Sequence, residues 1–74
     1  MAAADARVEA LEQAAIPEAS EALRLSQLAY RAGKIDLIEL LDAQESLASA
    51  QTELIEARLA RAQATAALAR ASAQ

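Results

Sequence analysis

The chain has 74 residues with no cysteine and no histidine, so it has neither a disulfide nor an ordinary zinc site as a staple. Its hydrophobic share is 55%, but 23 of those residues are alanine, leaving 16 Leu, Ile and Val with Met1 and Tyr30 to fill a core; a chain of this size without a staple calls for a partner. The net charge of −4, with acids and bases interleaved, excludes the basic face that nucleic-acid binding needs, and the longest uncharged run, residues 62–69, is far below the roughly 20 residues that span a bilayer.

From about residue 3 to 32 alanine, leucine, glutamate and arginine dominate, which are good helix formers. Two apolar heptad rows run along this segment, Val8-Ala15-Ala22-Ala29 and Ile16-Leu23-Tyr30, with Leu11 and Leu25 between them, so the apolar arc is broad. The opening residues, Met1 to Arg7, lack the basic and apolar regions of a signal peptide, which is expected of a cytoplasmic protein or of a soluble piece of a longer exported one. Pro17 interrupts the pattern and either kinks a continuous helix or breaks it with a restart. A restart would place Glu18 and Glu21 in a first turn. With no Gly, Asn or Ser before Pro17 to build a loop, the kinked, continuous form is favoured.

The single glycine, Gly33, falls between two long helical segments and is the expected point of reversal. Lacking a Cβ, it can take the left-handed conformation that closes a helix, and Arg31 before it suits the negative end of the dipole. Asp36 and Glu39 then form a D-x-x-E capping box, with Ile35 and Leu40 in the positions of a hydrophobic staple. A tight turn over 33–36 follows.

The second helix is expected over about residues 37–73. Leu40, Leu47, Leu54 and Leu68 fall on one row, interrupted by Arg61, and Ala43, Ala50, Ala57, Ala64 and Ala71 fall on the row three residues on. Small residues at alternate seam positions let helices approach closely. A further row, Leu41-Ala48-Ile55-Ala62-Ala69, widens the apolar face beyond what one partner helix covers. Gln13, Gln27, Gln44, Gln51, Ser46 and Thr52 are assigned to a solvated face. The fold class is all-α, an antiparallel two-helix coiled-coil hairpin forming a single unit over 1–74, with flanks left open for self-association, most simply as a homodimer making a four-helix bundle.

No catalytic constellation is present: the serines have no imidazole base, and no glycine loop cradles phosphate, so an enzyme is not expected, nor is a cofactor or a metal site. Glu39 and Asp42, three apart, share a helical face near the turn. On their own they read as a capping residue and a first-turn acid. Repeated around a pore mouth, they would make an acidic ring that attracts cations.

Tyr30-Arg31-Ala32-Gly33-Lys34, followed by Leu40-Leu41-Asp42-Ala43-Gln44 and the alanine heptads, resembles the last long helical hairpin of the TolC-like outer membrane efflux channels, over roughly Arg7 to Ala69. The resemblance implies a homotrimeric channel in the outer membrane of a Gram-negative bacterium, with this segment in the wall of its periplasmic tunnel and its turn at the entrance. It implies that Ala32, Gly33 and Lys34 are the tip that meets a periplasmic adaptor protein, which in turn engages an inner-membrane pump. It further implies that Tyr30 and Arg31 take part in entrance gating and that Glu39 and Asp42 line the entrance. In some family members an arginine that helps closure lies two residues after the glycine; that position is Ile35 here, leaving Arg31 or Lys34 to substitute.

Two alternatives remain open at this stage. The adaptors of the same machines also carry long hairpins with a glycine-isoleucine turn and a D-x-A pattern, which Gly33, Ile35 and Asp42-Ala43 fit loosely. The intact Leu40-Leu41-Asp42-Ala43-Gln44, and Asp36 where an adaptor usually has a capping serine, favour the channel. A stand-alone coiled-coil interaction module is the other alternative.

Overall fold

Helix-forming residues fill both arms, and the one residue able to reverse them sits between. The computed structural model describes residues 2–72 accordingly, as α1 (Ala2–Ala10), a π-helical turn (Leu11–Ala15), α2 (Ile16–Arg31) and α3 (Leu37–Ser72). The first three run on as one arm, and α3 returns antiparallel to it, making a rod of 63 × 17 × 12 Å. No strand occurs among the described residues. The all-α hairpin expected from the sequence is the observed fold; its second helix is continuous to Ser72, and the expected end at residue 73 lies outside the described residues.

The inward face of α3 is the leucine-alanine seam. Leu40, Ala43, Leu47, Ala50, Leu54, Ala57 and Ala64 are buried or half-buried, alternating steps of three and four residues, while Arg61 stands exposed on the same row. Leu68, the last leucine of that row, is also exposed. The tightest packing lies about midway along the rod, where Val8 (2% exposed), Leu11, Leu54 and Ala57 (3%) form the core and Ala15 and Ile16 pack against it. Complete burial of a leucine such as Leu11 contributes about 1.5–3 kcal/mol, so these few contacts carry much of the hairpin's stability.

The first arm differs from its expected packing. The low-exposure positions run Val8, Leu11, Ala15, then Ile16, Ala19, Leu23, Ser26 and Ala29, whereas Ala22 and Tyr30, expected on the apolar rows, are exposed. The two heptad rows are therefore one seam before and after a shift of one residue. The shift is made by the π turn: the Ile16 N–H donates to the Leu11 carbonyl, five residues back, so this turn absorbs one residue more than an α turn.

Pro17 supplies the physical reason. It has no N–H to offer the carbonyl of Gln13, and in an α turn its ring would press on that carbonyl. The π turn spans Gln13 and ends two residues before Pro17. Ala15 and Ile16 both keep right-handed helical angles, so the arm is continuous and a break with restart does not occur. Gln13, Gln27, Gln44, Ser46, Gln51 and Thr52 are all exposed, as expected.

Candidate functional site at the hairpin tip

The tip is built by two local devices. Gly33 has φ +73°, the left-handed conformation that side chains with a Cβ resist. It lets the Lys34 N–H reach the Ala29 carbonyl (2.8 Å) and the Gly33 N–H the Tyr30 carbonyl (3.0 Å), the two bonds of a Schellman closure, with Ala32 as the C-cap. On the far side the Glu39 N–H donates to Asp36 Oδ1 at 2.9 Å, and the Leu40 N–H begins α3 on the Asp36 carbonyl at 3.3 Å. The capping box is formed in one direction: among the described residues the Glu39 carboxylate makes no return bond to the Asp36 N–H. Ile35 and Leu40 are both half-buried, in line with their staple positions.

Space beyond the turn is open. A Cβ added to Gly33 would meet no atom within 4 Å, so the glycine serves the backbone angle and not a close approach. Ala32 and Lys34 are exposed beside it, as are Arg31 and Tyr30, the latter at 41%. Arg31 and Lys34 belong to neither ion pair of the described residues, which are Glu21–Arg24 and Glu12–Arg58.

Glu39 and Asp42 lie together on one side of the tip. Both line an open groove of about 470 Å³ whose other walls are Leu25, Ser26 and Ala29 of α2 and Ile35 of the turn. The groove is therefore apolar at its base and acidic along its α3 edge. Glu39 is thus released from the side-chain half of the capping role, and its carboxylate, like that of Asp42, is exposed. The sequence brought the acids together; it did not reveal that α2 supplies the apolar wall. The signal lay in the one-residue phase shift, which turns Ser26 inward and sets Leu25 and Ala29 on the groove side.

Farther along α2, the Arg24 guanidinium bonds the Glu21 carboxylate, with Nε to Oε2 at 3.0 Å, and this hydrogen bond holds the Glu21 carboxyl below its ordinary range and raises Arg24. Both groups are exposed, so the pair is a surface feature. Among the described residues no cluster of three or more Asp, Glu, His or Cys could hold a metal ion, and no helix is long and apolar enough to cross a membrane.

A long antiparallel hairpin with a capped, open tip and small residues along its seam is a two-helix coiled-coil element. The sequence model of the outer membrane efflux protein family matches residues 1–74, and the chain belongs to that family. The family is one of outer membrane transport channels and not of enzymes, and its members act in general as trimers with adaptor and pump partners. Comparison with curated proteins and with solved structures finds no match for this chain.

Proposed function

We propose that this hairpin forms part of the periplasmic α-helical tunnel of a trimeric outer membrane efflux channel, with Ala32-Gly33-Lys34 at the entrance, where it meets the helical hairpin of a periplasmic adaptor coupled to an inner-membrane pump. The observation that carries the reading is the family match across residues 1–74, the whole of both arms and the turn between them. It favours the channel over the adaptor and over a free-standing module.

The tip geometry supports the finer assignment. The Schellman closure uses only backbone bonds and leaves the Ala32 and Lys34 side chains exposed, with empty space beyond Gly33 where a partner's tip can approach. In this reading Tyr30 and Arg31, exposed next to the turn, take part in closing the entrance, and Glu39 and Asp42 supply an acidic ring whose charges act at close range on cations in a narrow passage.

The test is Lys34→Glu in the full-length channel. Helix content and melting stay as in the parent, because the side chain is exposed, while crosslinking to the adaptor and export both fall. Normal crosslinking and export in Ala32 and Lys34 variants would overturn the docking assignment. Glu39→Gln with Asp42→Asn should weaken cation block of single-channel conductance, and unchanged block would overturn the ring.

A further inference from the structure

The first arm leaves a regular seam and later returns to it. Val8, Leu11, Ala15, Glu18, Ala22, Leu25 and Ala29 alternate steps of three and four residues throughout, the period of a coiled-coil seam. The hairpin follows that row to Ala15, steps aside by one residue to Ile16, Ala19, Leu23 and Ser26, and regains it at the half-buried Ala29. The row's own members along the detour, Glu18, Ala22 and Leu25, are exposed, Leu25 at 52%.

The two courses of this stretch are closely matched in what they bury. The detour sets Leu23 on the seam and the regular row would set Leu25 there, side chains of equal apolar area. Each course also carries a polar misfit, Ser26 on the detour and Glu18 on the regular row. What separates them is the backbone. The regular row needs an unbroken α-helix through residues 11–17, in which Pro17 offers the Gln13 carbonyl no N–H and its ring presses on that carbonyl. The π turn, with the Ile16 N–H on the Leu11 carbonyl, takes up the extra residue just ahead of that clash and forces the detour.

We infer that residues 16–26 are a two-register element, with Pro17 as the lock that holds the detour. Releasing the π turn into an α turn rotates this stretch by about one residue, or 100°. Leu23 and Ser26 then leave the seam as Ala22 and Leu25 enter it, and Ala29 serves both registers. The groove at the tip follows the register, because Leu25 and Ser26 form its α2 wall beside Glu39 and Asp42. Whatever seats against Leu25 in that groove favours the present register, and whatever draws Leu25 inward empties that wall.

The chain has no cysteine, so single thiols can report the register. The experiment places Ala22→Cys or Ser26→Cys in the 74-residue chain, with Pro17 present or with Pro17→Ala, and follows the rate of reaction with N-ethylmaleimide. Circular dichroism checks that each variant is helical. With Pro17 the thiol at position 22 should react faster than the one at position 26; with Pro17→Ala the order should invert. A second measurement uses no thiol. Glu18→Leu should leave the melting temperature of the Pro17 chain nearly unchanged, because the site is exposed, and should raise that of the Pro17→Ala chain, where leucine completes the regular row. Ser26→Leu should do the reverse, raising the melting temperature more when Pro17 is present. An order of thiol reactivity indifferent to Pro17→Ala, or equal effects of Glu18→Leu in the two backgrounds, would each overturn the inference.

Discussion

The Arg58 guanidinium donates to the Glu12 carboxylate at 3.0 Å across the two arms, joining residues 46 apart in sequence. It is the ion pair of the described residues that links the arms, and it lies beside the core residues Leu11 and Ala57. Glu12 also lies inside the π turn, so the cross-arm pair is made from the segment that takes up the extra residue.

Half exposure limits what that pair contributes. A double-mutant cycle on Glu12→Gln and Arg58→Gln, read by thermal unfolding, should give a coupling of about 0.2–1 kcal/mol that shrinks with salt. A coupling well above that range would show the pair to be drier than its exposure implies.

Core truncations should divide sharply by position. Leu54→Ala should remove about 2–5 kcal/mol, enough to unfold much of so small a hairpin, because Leu54 is buried against Leu11 and Val8. Leu28→Ala, at a half-exposed site, should stay within about 0.5 kcal/mol. Melting followed by circular dichroism at low protein concentration separates the two.

The π turn makes one deletion tolerable that would be damaging elsewhere. Removing Gln13 together with Pro17→Ala brings Ile16 into the phase of Ala15 and converts Val8-Leu11-Ile16-Ala19-Leu23 into an uninterrupted heptad seam. The expected outcome is an unchanged or raised melting temperature. Deleting Ser49 from α3 instead throws Leu54 and Ala57 out of register and should abolish cooperative melting.

At the turn, Gly33→Ala should destabilise by about 1 kcal/mol through its positive φ, Gly33→Asn by less, and Gly33→Val by more. Because a Cβ there meets nothing, this order follows backbone preference and not side-chain volume. Equal effects for Ala and Val would contradict it.

Glu21 gives the pH dependence a definite sign. Its carboxyl is lowered in the folded hairpin, first by the hydrogen bond from Arg24 and then by that residue's charge. Its contribution is therefore present above the unfolded value, about 4.3, and is lost as pH falls through the folded value. An NMR titration should find the Glu21 midpoint below that of a free glutamate, and Arg24→Gln should return it upward.

The turn and the second arm could be read from sequence because their signals are local or strictly periodic. Gly33, Asp36 and the Leu40-Ala43-Leu47-Ala50-Leu54-Ala57 steps each specify structure within a few residues, and all are realised. The first arm was harder. A one-residue insertion in a seam looks, on paper, like two adjacent apolar rows, so Val8-Ala15 and Ile16-Leu23 read as a broad face when they are one narrow face in two phases. Pro17 marked the place but not the remedy, since kink, break and π turn all relieve the same clash. Leu68 was expected on the seam because its row is regular, but the row alone does not say how far the opposite arm reaches. The acids at the tip could be located by spacing; the groove they border depends on the phase of α2 and appears only once that phase is fixed.

The four buried side chains of the described residues, Val8, Leu11, Leu54 and Ala57, lie about the middle of the rod, with Leu54 halfway along α3. The hairpin is therefore clamped at its waist, and the tip is held by a seam that is only half-buried. Backbone amides in the last turns of α2 and the first turns of α3 can open without breaking the central core, so they should exchange with solvent faster than those around Leu54, although Gly33 and Asp36 cap the turn on both sides. Local opening at the tip separates the walls of the groove and changes the spacing of Glu39 and Asp42 from Leu25 and Ala29 while the central core holds its register.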